Sequence, residues 1–150
     1  MIILATWAAY PSAGSAMQRM EEAISMSKEK MEIWGRELEM EVRYDCYSGE
    51  EVLDSQKEAL AEFLRAEDGI EASLEEVKKY CLEQNGGEIG DSAITNIFKF
   101  VAPKYLYVAR DADKHIVAVM CNYKFDQENG IAVVFEDGKF NRIGRQDIVL

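Results

Sequence analysis

From Pro103 onward the chain changes character. Five runs rich in β-branched and aromatic residues follow, at residues 105–110, 115–125, 131–136, 140–143 and 148–150. Three turn sequences punctuate them: Asp111-Ala112-Asp113-Lys114, Asp126-Gln127-Glu128-Asn129-Gly130 and Asp137-Gly138. Connections this short join antiparallel neighbours, because a parallel pair needs a crossover of a dozen or more residues. The Asp-Gly pair is also a strong signal for a two-residue hairpin. The C-terminal third is therefore expected to be an antiparallel meander, and any helices must come from upstream and pack on it. That is an α+β fold.

Upstream, the period of the apolar residues changes twice. Leu38, Met40, Val42 and Tyr44 alternate with Glu39, Glu41, Arg43 and Asp45, the period-two mark of a half-buried strand. A tight turn at Gly35-Arg36 makes residues 31–34 and 38–47 an N-terminal β-hairpin. Ser48 and Glu51 then read as a capping box, and Val52, Leu53, Gln56, Ala59, Leu60, Phe63 and Leu64 recur at helical spacing until Asp68-Gly69. A second helix is expected over residues 74–83, capped by Ser73 and ended by Asn85-Gly86-Gly87. A third, shorter one would follow Asp91, bury Ile94, Ile97, Phe98 and Val101, expose Lys99 and stop before Pro103.

A chain of 150 residues with 48% apolar side chains suffices for one hydrophobic core. The domain is placed at residues 31–150, preceded by an arm or short helix over residues 1–30. Met20 and Ile24 lie on one face of that segment, and Met17, Met20, Met26 and Met31 are each possible internal starts. Residues 1–10 are apolar but lack the basic flank of a secretion signal, so an extended start or loosely attached arm is the expectation.

Lys and Arg number 17 against 28 Asp and Glu, a formal net charge of -11. That field repels nucleic-acid phosphates and anionic membrane, and it speeds encounter with a basic protein. No run reaches the roughly 20 apolar residues of a membrane-spanning helix. Cys46, Cys81 and Cys121 are odd in number and widely spaced, and His115 is the single histidine, so a structural zinc site is not expected. The cysteines read as reduced thiols of a cytoplasmic protein.

The motifs of chemistry are absent. There is no GxSxG elbow, P-loop or GxGxxG turn. Asp111, Asp113 and His115 mimic metal-ligand spacing without the length or terminal Glu of a calcium loop, and they read as a turn, as do Asp126 and Glu128. Cys121 is six residues from His115 on one expected strand, roughly 20 Å away, so the two cannot form a nucleophilic pair. The sequence thus assigns no catalytic residue, cofactor or metal. Tyr105 and Tyr107 share one strand face and are buried or presented together.

Tyr123-Lys124-Phe125-Asp126, Glu128-Asn129-Gly130, Phe135-Glu136 and Gly144-Arg145-Gln146-Asp147 form an ordered series. The series resembles a bacterial domain family of unknown function whose members end in Asp-x-Glu-x-Gly, Phe-Glu and Gly-x-Gln-Asp. Gln56, Ala59 and Phe63 look like the first helix of that family, and the likeness covers residues 32–150. It brings no catalytic residue. It implies a small partner protein similar to the immunity proteins of polymorphic toxin systems, with a cognate toxin or other basic protein as partner. Tyr105, Tyr107, Asp126, Glu128, Glu136 and Asp137 are the candidate partner contacts. The matched residues also have an architectural reading, with glycines in turns and Gln146-Asp147 bonding exposed backbone. An enzyme or ligand-binding protein would instead require a concave pocket of convergent polar groups. An assembly module would pair through an exposed strand, and the oligomeric state stays open.

Overall fold

The computed structural model describes residues 26–150 apart from residues 48, 91, 92 and 112. Six strands form one sheet in chain order: β1 (Met26–Ile33), β2 (Arg36–Tyr44), β3 (Val101–Val108), β4 (Ile116–Tyr123), β5 (Ile131–Glu136) and β6 (Lys139–Gly144). Helices α1 (Asp54–Arg65) and α2 (Glu67–Ile89) lie between β2 and β3. Every neighbouring pair is antiparallel except β2 and β3, which run parallel in register Glu41 with Tyr105 through Tyr44 with Val108. The N-terminal hairpin and the C-terminal meander are therefore one sheet, joined edge to edge by that short parallel ladder.

The hairpin turns one residue earlier than expected. Trp34 and Gly35 are its central residues, both with positive φ (52° and 84°), as a two-residue turn matching strand twist requires. The left-handed conformation of a Trp is compensated by its burial: the indole N–H donates to Ser73 Oγ at 3.0 Å, and the ring meets Phe98 at 6.0 Å. β1 reaches back to Met26, so residues 26–30, read as the end of a helix, are strand. The rest of that expected helix lies outside the described residues.

The helices differ more. α1 begins at Asp54, not near Ser48, because Gln56 turns inward and its Oε1 accepts the Leu53 N–H at 2.9 Å. α2 starts at Glu67, running through the expected Asp68-Gly69 stop, and it is kinked at Asn85 (φ -138°, ψ 33°), where the sequence expected an end, before a last short stretch to Ile89. The break between the helices falls on Ala66 alone. Ser73 is an interior residue that bonds the Ile70 carbonyl, not a cap. The expected third helix shrinks to a single 3-10 turn, Ile97–Lys99, since β3 already starts at Val101 and takes in Pro103 at a bulge. Ile94, Ile97 and Val101 are buried as expected. Residues 148–150 form no strand; Gln146–Ile148 is a 3-10 turn. No helix among the described residues is long and apolar enough to cross a membrane.

β4 and β5 are apolar on both faces, as central strands are. Val117, Val119, Cys121, Ile131, Val133 and Phe135 share the main core with Phe63 and Leu60 of α1 and Ile70, Val77 and Cys81 of α2. Ala118, Met120, Ala132 and Val134 form a second cluster on the opposite face, with Tyr105, Tyr107, Ile116 and Val149 against it. Sheet twist carries two diagonal corners over the helices. Gly69 lies against Gly138 of the β5–β6 turn, and Ser73, one helical turn on, holds Trp34 of the β1–β2 turn.

Candidate functional site

The outward face of the helical layer is strongly acidic. Residues 50–76 hold ten carboxylates against Lys57 and Arg65, and Glu58, Glu67, Asp68, Glu71, Glu75 and Glu76 are exposed. Amphipathic spacing sets this arrangement, since Gln56, Ala59, Leu60 and Phe63 turn to the sheet and leave the charged positions outside.

The loop entering α1 is fixed by Arg110, just beyond β3. Its guanidinium donates to the Glu51 carbonyl at 3.0 Å and approaches the Glu50 carboxylate at 3.6 Å. Fully buried Gln56 completes the lock: its amide N–H groups donate to the Asp45 carbonyl at 3.1 Å and the Val108 carbonyl at 3.2 Å, where the parallel ladder ends. This loop leaves Tyr47 71% exposed beside Glu50 and Glu51. Burial raises the Cys46 thiol even though Arg110 pulls the other way, opposite to the lowered value of an activated thiol. Cys81 is pushed up to about 11 and Cys121 is raised as well, both by burial first; all three thiols are free.

At the other end of α1, His115 meets carboxylates from two elements. Its Nδ1 lies 3.3 Å from Glu62 and 4.0 Å from Asp137, and its Nε2 lies 3.9 Å from Glu58. Asp111 and Asp113 take no part: Asp111 Oδ1 accepts the Asp113 and Lys114 backbone N–H groups, which is the turn expected of them. A surface groove of about 660 Å³ follows the loop entering α1 and Arg110, and others lie elsewhere. One of about 580 Å³ is lined by Glu75, Lys78, Lys79, Leu82 and Ile94, and one of about 480 Å³ by Lys99, Phe100, Tyr123 and Lys124.

The six candidate contacts do not share a patch. Tyr105 and Tyr107 are half-buried on the sheet face away from the helices, with the Arg43 guanidinium 4.0 Å over the Tyr105 ring. Burial and neighbouring Asp45 raise the Tyr107 phenol. Asp126 and Glu128 sit in the β4–β5 loop at one end of β5, and Glu136 and Asp137 at the other, about 17 Å away at strand rise. Only Asp137 joins the helical face, through His115.

The pattern of a known domain, the domain of unknown function DUF6985, matches residues 17–150. The chain belongs to the DUF6985 family. No curated protein and no solved structure matches it.

In this DUF6985 chain the C-terminal Asp-x-Glu-x-Gly and Gly-x-Gln-Asp series closes the far end of the sheet. Asp126 accepts the Asn129 backbone N–H at 3.2 Å and its side-chain amide at 3.1 Å, while its carbonyl accepts the Gly130 N–H at 2.9 Å. Gln146 donates its amide to the Cys121 carbonyl at 3.0 Å, and its backbone N–H to the Asn129 carbonyl at 3.1 Å. These residues tie β4, the β4–β5 loop and the segment after β6 into one latch. The sequence missed Tyr47, read as strand, and the meeting of Glu58 and Glu62 with His115. The four-residue spacing of the two glutamates was visible, but their facing partner was not.

Proposed function

We propose that this protein is an immunity-type binding protein, which neutralises a cognate basic toxin in the cytoplasm by covering the toxin's active surface with the acidic face of α1 and α2. The observation that carries the reading is the concentration of ten carboxylates in residues 50–76, eight of them on the two helices that pack on the sheet and two in the loop that enters α1. A single-sign patch of this kind steers a basic partner and selects against acidic ones. Tyr47, exposed beside this patch, supplies the aromatic anchor that interface hot spots favour. The proposed toxin is the one encoded beside the protein.

The test is binding and protection with that toxin. Association should slow steeply as salt rises from about 50 mM to about 300 mM, because exposed charges are screened within about 10 Å. Charge reversal at Glu67→Lys, Glu71→Lys and Glu75→Lys together should weaken binding at least about tenfold, mostly through the association rate. No binding at low salt and no protection of toxin-expressing cells would reject the reading.

A further inference from the structure

His115 stands where α1, the start of β4 and the β5–β6 turn converge. The Nδ1 to Glu62 Oε1 distance is 3.3 Å, that to Asp137 Oδ1 is 4.0 Å, and the three donor atoms all lie within 4.8 Å of one another. The backbone holds this convergence, because the Asp137 N–H donates to the His115 carbonyl at 2.9 Å.

Three properties distinguish the cluster from a simple surface ion pair. Tetrahedral zinc with bonds of about 2.0 Å holds its donors about 3.3 Å apart, which is the Nδ1 to Glu62 separation. Asp137, exposed on a two-residue turn, needs to close on Nδ1 by less than about 1 Å, and with all three donors within 4.8 Å of one another a shift of at most about 1.5 Å completes three protein ligands. The other ring nitrogen is also provided for. A metal-bound imidazole gives its remaining N–H to a carboxylate, which fixes the tautomer and raises ligand basicity, and Glu58 occupies that side at 3.9 Å from Nε2. Charge supplies the third property: among the described residues His115 is the only cationic partner of Glu58, Glu62 and Asp137. Even a protonated ring leaves an excess of two negative charges, the deficit a divalent cation fills.

We propose that Glu62, His115 and Asp137 form a binding site for a divalent transition-metal ion of the zinc class, with Nδ1 as the nitrogen ligand and Glu58 in support. The mixed imidazole and carboxylate set selects zinc-like ions over magnesium and calcium, which take oxygen ligands. The inference is independent of the toxin-binding reading, since it concerns the protein alone.

A single histidine makes the test direct. Zinc chloride is titrated into untagged, ¹⁵N-labelled protein carrying Cys46→Ser, which removes the half-buried thiol as a competitor. Long-range ¹H–¹⁵N spectra should show the Nδ1 resonance moving to a plateau at one zinc per chain, with calorimetry giving the same stoichiometry. Magnesium chloride should leave it in place. His115→Gln, Glu62→Gln and Asp137→Asn should each weaken zinc at least about tenfold, and Glu58→Gln about tenfold through the outer shell. The metal-free melting temperature of Glu58→Gln should stay unchanged, which separates ligation from structural damage. The proposal is overturned by no ring shift at millimolar zinc, by ligation through Nε2, by an equal response to magnesium, or by affinity that survives His115→Gln.

Discussion

A Cβ built on Gly130 would lie 2.5 Å from the Cys121 carbonyl oxygen and 2.6 Å from Gln146 Nε2, and the residue's φ is +59°. Both the backbone conformation and the space demand glycine there. Gly130→Ala should therefore cost about 3 kcal/mol of unfolding free energy, measured by urea denaturation. Adding Gln146→Ala should not restore it, because the Cys121 clash is with backbone. The sequence already marked Gly130 as a turn residue and suggested an architectural use of Gln146. It did not disclose that the two lie side by side, since they stand 16 positions apart with two strands, β5 and β6, between them. His115 is a similar case: local spacing linked it to Asp111 and Asp113, while its actual neighbours, Glu62 and Asp137, come from a helix and the following hairpin.

At the scale of elements, α1 was legible because Gln56, Ala59, Leu60 and Phe63 repeat at helical spacing and are all buried. Gln56 shows what the repeat left out. Its amide joins the start of α1 to the ends of β2 and β3, and Gln56→Leu would strand the Asp45 carbonyl and the Leu53 N–H. The expected loss is about 2 to 4 kcal/mol, with hydrogen exchange rising first at the β2–β3 ladder. α2 was misread for a physical reason. Asp68-Gly69 is a stop by local propensity, and a helical glycine costs about 1 kcal/mol relative to alanine. Here a Cβ at position 69 would meet the Gly138 carbonyl at 2.8 Å, so close helix-to-turn packing needs the glycine within the helix. Pro103 misled in the opposite sense, ending an expected helix when it occupies a strand bulge.

For the whole molecule, burial gives stability a defined alkaline limit. Cys81 is pushed up to about 11, and Cys121, Tyr107 and Tyr123 are raised too, in each case chiefly by burial. The unfolded chain ionises these groups at their ordinary values, Cys near 9, while the native state keeps them protonated. Between those limits the native state binds more protons, so stability is full below about pH 9 and falls as pH rises toward 11. Urea midpoints measured from pH 7 to 11 should decline on that limb, and Cys81→Ala should make the decline shallower without removing it.

Turn chemistry and hydrophobic period, read from the sequence alone, determined the hairpin, the meander, the main face of α1 and the acidic composition. Those signals are local, acting over a few residues through backbone preference and side-chain alternation. Tertiary structure alone decided the parallel union of β2 with β3, the passage of α2 through Asp68-Gly69, the latch around Gly130 and the gathering of three carboxylates about His115. Each of these rests on contacts between distant segments, whose energies appear only once the sheet has twisted and the helices have packed on it.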